Sequence, residues 1–185
     1  NPNADFLEWL NPKNKKKYTW GETSINIQKL ANVLKNNLSK GDRCLLVSEN
    51  RPEWLIADLA IMLADGITVP AYTTYTEKDY KYLIEDCEPT VIIVSNNEMH
   101  NKLKNIIKEK DFIKKVIIFD EISNIEKQDK YLKFDSIITN QLSNNEKIKN
   151  ENLKRNSPAC IIYTSGTSGN PKGVILSHGG ILNNL

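Results

Sequence analysis

Cysteine is scarce and unpaired in this 185-residue chain. Cys44, Cys87 and Cys160 stand far apart, each inside or beside an apolar run, and no CxxC pair suggests a disulfide or a metal site. Buried, reduced thiols are the plain reading, and they fit a cytoplasmic compartment. Arginine is scarce too, with Arg43, Arg51 and Arg155 the only three among 25 basic residues. The formal net charge is +2, close to neutral, so nothing points to nucleic acid as a partner. Apolar runs such as Leu59 to Leu63 fall well short of the ~20 residues that a membrane-spanning helix needs. The start, Asn1-Pro2-Asn3-Ala4-Asp5, has no secretory-signal character and no initiator methionine. The end, Asn183-Asn184-Leu185, falls inside what reads as a new helix. The expectation is a piece of a longer protein.

What is present is an alternation of short apolar runs with helical patterns, the signature of βαβ units and a mainly parallel sheet flanked by helices. Strands are expected at Tyr18–Trp20, Arg43–Ser48, Ile67–Pro70, Thr90–Ser95, Lys115–Asp120 and Ala159–Tyr163. Helices are expected at Ile25–Leu38, at Glu53–Ala64 with Pro52 at the first position, at Thr76–Cys87 with Thr76 as N-cap and Asp79 closing a capping box, and at Met99–Lys108. Residues 121–157 are rich in Asn, Lys, Glu, Asp and Gln, and read as an exposed, variable polar connection. Glu49 and Arg51 could pair as a loop brace. Trp54, Leu59 and Pro70 read as packing and turn residues. The run Lys13, Lys15, Lys16, Lys17 reads first as a solvated turn, with contact to anionic lipid as its other reading.

Between Thr164 and Gly173 the texture changes. Glycines at 166, 169 and 173 allow close backbone approach to a ligand. Thr164, Ser165, Thr167 and Ser168 supply hydroxyls, and successive N–H groups supply donors for a polyphosphate. Lys172 adds a mobile point charge suited to phosphate. The spacing is not that of the Walker loop, G-x-x-x-x-G-K-[ST], which opens directly into a helix. Here Lys172 is followed by Gly173, and Val174-Ile175-Leu176-Ser177 reads as a strand.

This stretch, YTSGTSGNPKGV from Tyr163 to Val174, resembles the phosphate-binding signature of the AMP-binding, adenylate-forming superfamily, departing from its commonest form at Ser168, where threonine is usual. Leu176 to Asn184 resembles the segment that follows, with Gly180 where the family usually has Asn. Gly41-Asp42-Arg43, Ser48 to Trp54, Ala57 to Ala60, Val69 to Thr74 and Tyr18 to Glu22 resemble the long-chain fatty acyl-CoA synthetase branch. The resemblance covers most of residues 18–95 and 157–184.

The resemblance implies the first part of that family's large N-terminal domain, here residues 1–185, in an enzyme that joins a fatty acid to ATP as an acyl-adenylate and then to coenzyme A. It implies that Thr164, Ser165, Gly166, Thr167, Ser168, Gly169 and Lys172 hold the ATP phosphates, and that Thr164 contacts Mg²⁺. Lys172 and His178 are implied as catalytic, His178 lying near the acyl or adenylate site, with a backbone-bonded histidine at a helix start as the bland alternative. Fatty acid, ATP and CoA are the expected small-molecule partners. Peripheral membrane contact and a homodimer of the full-length enzyme stay open. The family's downstream glutamate, ribose-binding aspartate and lid lysine do not occur in this chain, so the chain alone is expected to be inactive. Two alternatives stand: another adenylate-forming enzyme, acting on aryl or amino acids, and a non-catalytic nucleotide-binding paralogue. An apolar face or sheet edge is expected to be left uncovered.

Overall fold

The computed structural model describes residues 1–10, 15–122, 128–140, 147–149, 153–165 and 170–184. Two short strands, β1 (Asp5–Trp9) and β2 (Lys16–Thr19), pair antiparallel. Helix α1 (Trp20–Lys35) follows at once. Thr19 caps it: its hydroxyl accepts from the Glu22 N–H at 3.2 Å, while Glu22 accepts from the Thr19 N–H at 2.8 Å. The expected strand end at Trp20 is thus corrected by one residue and the expected helix start at Ile25 by five, because this capping box fixes the start upstream.

The main body runs β3 (Arg43–Val47), α2 (Pro52–Leu63), β4 (Ile67–Ala71), α3 (Glu77–Cys87), β5 (Val91–Val94), α4 (Asn97–Glu109) and β6 (Lys115–Ile118). It continues with β7 (Tyr131–Lys133), α5 (Phe134–Thr139), β8 (Pro158–Thr164), β9 (Lys172–Ser177) and α6 (His178–Leu182). The sheet order among the described residues is β7-β6-β5-β3-β4-β8-β9. Six strands are parallel, and β9 closes the sheet antiparallel to β8. After β4 the chain crosses back over β3 to place β5 on the other side, so the strand order reverses there. In open α/β sheets, crevices at the carboxyl ends of the strands are where ligands bind.

Two cores cover the two faces. Cys44, Leu46, Val91 and Ile93 pack with α1, α2 and α5, while Leu45, Val47, Ile92 and Val94 pack with α3 and α4. Burial on both faces explains why β3 and β5 are unbroken apolar runs without polar alternation. All three cysteines are free and buried, as expected.

The polar stretch after β6 is more structured than its composition suggests. β7 joins the sheet, and Phe134 of α5 is fully buried, edge-on to Phe119 with ring centroids 5.3 Å apart. A few apolar residues suffice there because Phe134, Ile137 and Ile138 fall on one turn of helix and pack together against the α1 side. The reading of 121–157 as an exposed connection is corrected at these residues. The other end of the sheet behaves as anticipated. Val174, Ile175 and Leu176 of β9 are 45, 62 and 39% exposed, an apolar edge left open. Leu59, read as a packing residue, is also exposed. No helix among the described residues is long and apolar enough to cross a membrane.

Candidate phosphate-binding site

The glycine-rich loop springs from the β8–β9 hairpin, at the edge where the parallel strands end. Cross-strand pairing sets Thr164 directly opposite Lys172 and Tyr163 opposite Gly173. Residues opposite each other in an antiparallel pair share a face, so a hydroxyl and an ammonium stand side by side at the mouth of the loop. Thr164, Ser165 and Lys172 are exposed, and no ion pair of Lys172 is found among the described residues. The remaining cradle residues of the sequence reading, Gly166, Thr167, Ser168 and Gly169, lie outside the described residues.

The stems are tightly built. A Cβ added at Gly173 would lie 2.8 Å from Ile161 Cγ2 and 3.3 Å from the Tyr163 ring. Glycine therefore lets the Tyr163 ring lie flat over the opposite strand. The Tyr163 hydroxyl donates to the Asp86 carboxylate of α3. Burial first, and this carboxylate second, push the Tyr163 phenol up, so it is neutral at any physiological pH. On the outgoing side, the Tyr82 hydroxyl, also on α3, donates to the Pro171 carbonyl at 2.9 Å.

His178 is not part of this constellation. β9 runs away from the loop, and its last residue, Ser177, pairs with Pro158 at the far end of β8. Ser177 lies five positions of extended chain from Lys172, roughly 17 Å. His178 begins α6 there, its N–H donating to the Ser157 carbonyl at 3.0 Å. Burial lowers its pKa and the nearby Asp58 carboxylate opposes that effect. His178 is thus a helix-start residue with its N–H bonded to backbone, set apart from the loop mouth by the length of β9.

The Glu49–Arg51 brace is corrected as well. Arg51 binds Glu53 at 2.9 Å and Asp120 at 2.9 and 3.1 Å, while Glu49 accepts from the Asn96 side-chain amide at 2.9 Å. In the lysine run, Lys16 pairs with Glu53 at 2.8 Å, and Lys17 with Asp5 and Glu8 at 3.3 and 3.6 Å. Those two charges are engaged within the chain, and both residues lie on strand β2, so the solvated turn expected for them is corrected at Lys16 and Lys17. Lys13 lies outside the described residues. Tyr82 and Asp86 went unnoticed in the sequence, where nothing but their helical i, i+4 spacing marks them.

Residues 1–185 match the profile of the AMP-binding enzymes along their whole length. The chain belongs to this family. It is 30% identical over 150 residues to the long-chain-fatty-acid–CoA ligase ACSBG1 of Rattus norvegicus, covering 80% of this chain and 21% of that protein. It is also 30% identical over 186 residues to long chain acyl-CoA synthetase 3 of Arabidopsis thaliana, covering 91% of this chain and 27% of that protein. The chain thus spans about a fifth to a quarter of the length of these curated relatives. Among solved structures, it superposes on the anthranilate CoA ligase AuaEII in complex with anthranoyl-AMP with a TM-score of 0.81, at 23% identity, over 96% of this chain and 32% of that one. Acetoacetyl-CoA synthetase from Streptomyces lividans gives 0.86 at 20% identity, over 99% and 29%. The mainly parallel, helix-flanked sheet of this AMP-binding chain is the N-terminal part of the fold of such CoA ligases.

Proposed function

We propose that this chain is the N-terminal, ATP-phosphate-holding part of a fatty acid:CoA ligase. In the first step a carboxylate oxygen forms a bond to the α-phosphorus of ATP and pyrophosphate leaves. In the second the CoA sulfur bonds to the acyl carbon, AMP leaves, and the thiol proton is lost to water. The observation that carries the reading is the pairing of Thr164 with Lys172 at the mouth of a glycine-rich hairpin, at the carboxyl end of β8. The relatives that are long-chain acyl-CoA synthetases support a fatty acid as the carboxylate.

Lys172, exposed and opposite Thr164, would contact the β- and γ-phosphates and offset charge building on departing pyrophosphate. A hydroxyl such as that of Thr164 suits Mg²⁺, a hard cation that takes one or two protein oxygens and completes its shell with phosphate and water. When bound, the ion would neutralise phosphate charge. CoA belongs to the second step. The cytoplasmic location read from the cysteines goes with this assignment.

The test is acyl-CoA formation by the enzyme that carries this chain, across long-chain, short-chain, aryl and amino carboxylates. ATP- and CoA-dependent turnover greatest with long-chain acids supports the reading. Preference for an aryl or amino acid keeps the family chemistry and overturns the fatty acid. ATP binding with no turnover on any of them indicates a nucleotide-binding paralogue.

A further inference from the structure

We infer that Tyr82 and Asp86, one turn apart on α3, are positioning residues that hold the two stems of the phosphate loop and so tune affinity for the ATP polyphosphate. This rests on the reading of the hairpin as a nucleotide loop. Asp86 takes the hydroxyl of Tyr163 on the incoming stem, and Tyr82 donates to the carbonyl of Pro171 on the outgoing one. Both contacts come from one face of one helix, since residues four apart stack along a helix.

The helix they use is itself firmly seated. Its start is closed by the Thr76–Asp79 capping box, Leu83 and Ile84 are buried in the core, and Tyr80, fully buried, donates to the Tyr72 carbonyl at 2.7 Å. The stem it holds is not. Among the described residues β9 is the last strand of the sheet and pairs with β8 alone, and Lys172 to Leu176 are exposed along its length. Tyr82 therefore ties the loop end of an otherwise one-sided strand to the body. Asp86 is exposed and Tyr82 bonds a loop carbonyl, so neither contact is needed to fill the core. Their effect falls on where Thr164 and Lys172 stand relative to each other and to the sheet.

Equilibrium dialysis of ATP with Mg²⁺ on the enzyme carrying this chain tests the brace. Tyr82→Phe keeps the ring and removes only the donor. Asp86→Ala removes the acceptor, and Asp86→Asn retains one. A hydrogen bond of this kind contributes roughly a few-fold in an equilibrium, so the Tyr82→Phe/Asp86→Ala pair is expected to weaken ATP about ten-fold. Asp86→Asn should stay within about two-fold of the parent, because its amide oxygen still accepts from Tyr163. KM for the carboxylate should not move. A double variant that binds ATP like the parent overturns the brace, as does an equal rise in every KM together with a lowered Tm. If Tyr82-dependent ATP binding is found in a protein that activates no carboxylate, the brace stands and the ligase reading falls.

Discussion

The Arg51 guanidinium grips both carboxylate oxygens of Asp120 at 2.9 and 3.1 Å, across 69 positions of sequence. Its Nε binds Glu53 at 2.9 Å, Lys16 completes that carboxylate at 2.8 Å, and the cation lies over Trp9 at 4.5 Å and Phe119 at 5.4 Å. The Arg51 and Glu53 side chains are 2 and 0% exposed, whereas Asp120 is 46% exposed. Arg51 thus joins the end of β3, the end of β6 and the β1–β2 hairpin at one point. Removing it leaves a buried Glu53 charge poorly compensated, a loss of roughly 3–5 kcal/mol. Asp120→Asn, at a half-exposed partner, should cost less than about 1 kcal/mol. Urea unfolding at neutral pH of Arg51→Met and Asp120→Asn checks the contrast, and equal costs for the two would show that burial does not govern this network.

The same network sets a pH dependence. Burial alone would raise the Glu53 carboxyl, but hydrogen bonds from Arg51 and Lys16 and the Arg51 charge outweigh it and hold it below the ordinary range. A carboxylate whose folded-state pKa is depressed contributes stability that is full above the unfolded value, roughly 4.3, and is lost as pH falls through the folded one. Stability should therefore fall steeply with acid below about pH 4.5, and the fall should flatten in Glu53→Gln. An unchanged acid limb in that variant would remove Glu53 from the explanation.

His100 works with the opposite charge and in a higher window. It is buried on α4, with Nε2 3.0 Å from the Tyr131 hydroxyl and the rings edge-on at 5.4 Å. Burial first, then the Lys104 charge, lower its pKa. A base lowered in the folded state is protonated preferentially when unfolded, so stability begins to fall as pH drops below the unfolded value of roughly 6.5. Denaturation midpoints of the parent and His100→Gln between pH 7.5 and 5 should converge as acid removes the advantage of the parent. Parallel lines would place the titration elsewhere.

Legibility followed how local each signal is. β5 could be read from Val91 to Val94 because a strand buried on both faces needs no partner to declare itself. The loop stands out in the sequence because its glycines, hydroxyls and lysine lie within ten positions. Thr19 was missed although Thr19-x-x-Glu22 is a capping box in plain sight, since Tyr18 and Trp20 drew the reading towards a strand. β7 and α5 escaped because Phe134 stands nearly alone among polar residues and its partner Phe119 is fifteen positions away. Asp120 as the partner of Arg51, and Asp86 as the partner of Tyr163, are consequences of the folded sheet.

Gly173 offers a test of the hairpin's geometry. In Gly173→Ala the new methyl would meet Ile161 Cγ2 at 2.8 Å, and Ile161 is held between strand neighbours. Overpacking of this kind costs roughly 1–3 kcal/mol, and relief comes most readily from the free edge, by β9 moving away from β8. Denaturation should show that loss, and ATP affinity should fall with it because Lys172 moves with β9. A variant as stable as the parent would mean that the hairpin has more room than its contacts indicate.

Lys172 and His178 stand at opposite ends of β9, and that separation makes them a discriminating pair. If Lys172 neutralises charge on the departing pyrophosphate, Lys172→Ala should slow adenylation by roughly 10²–10³, the cost of deleting one donor aimed at developing charge. Its effect should appear mainly in the rate of carboxylate-dependent ATP–pyrophosphate exchange, because the interaction strengthens as pyrophosphate departs. His178→Ala should instead act on stability, through the loss of its electrostatic interaction with Asp58, with the exchange rate within about two-fold of the parent. Exchange that survives Lys172→Ala would remove the loop lysine from the chemistry. Exchange that collapses in a well-folded His178→Ala would mean that the far end of the hairpin communicates with the reaction, and the placement of the site at the loop mouth alone would have to be abandoned.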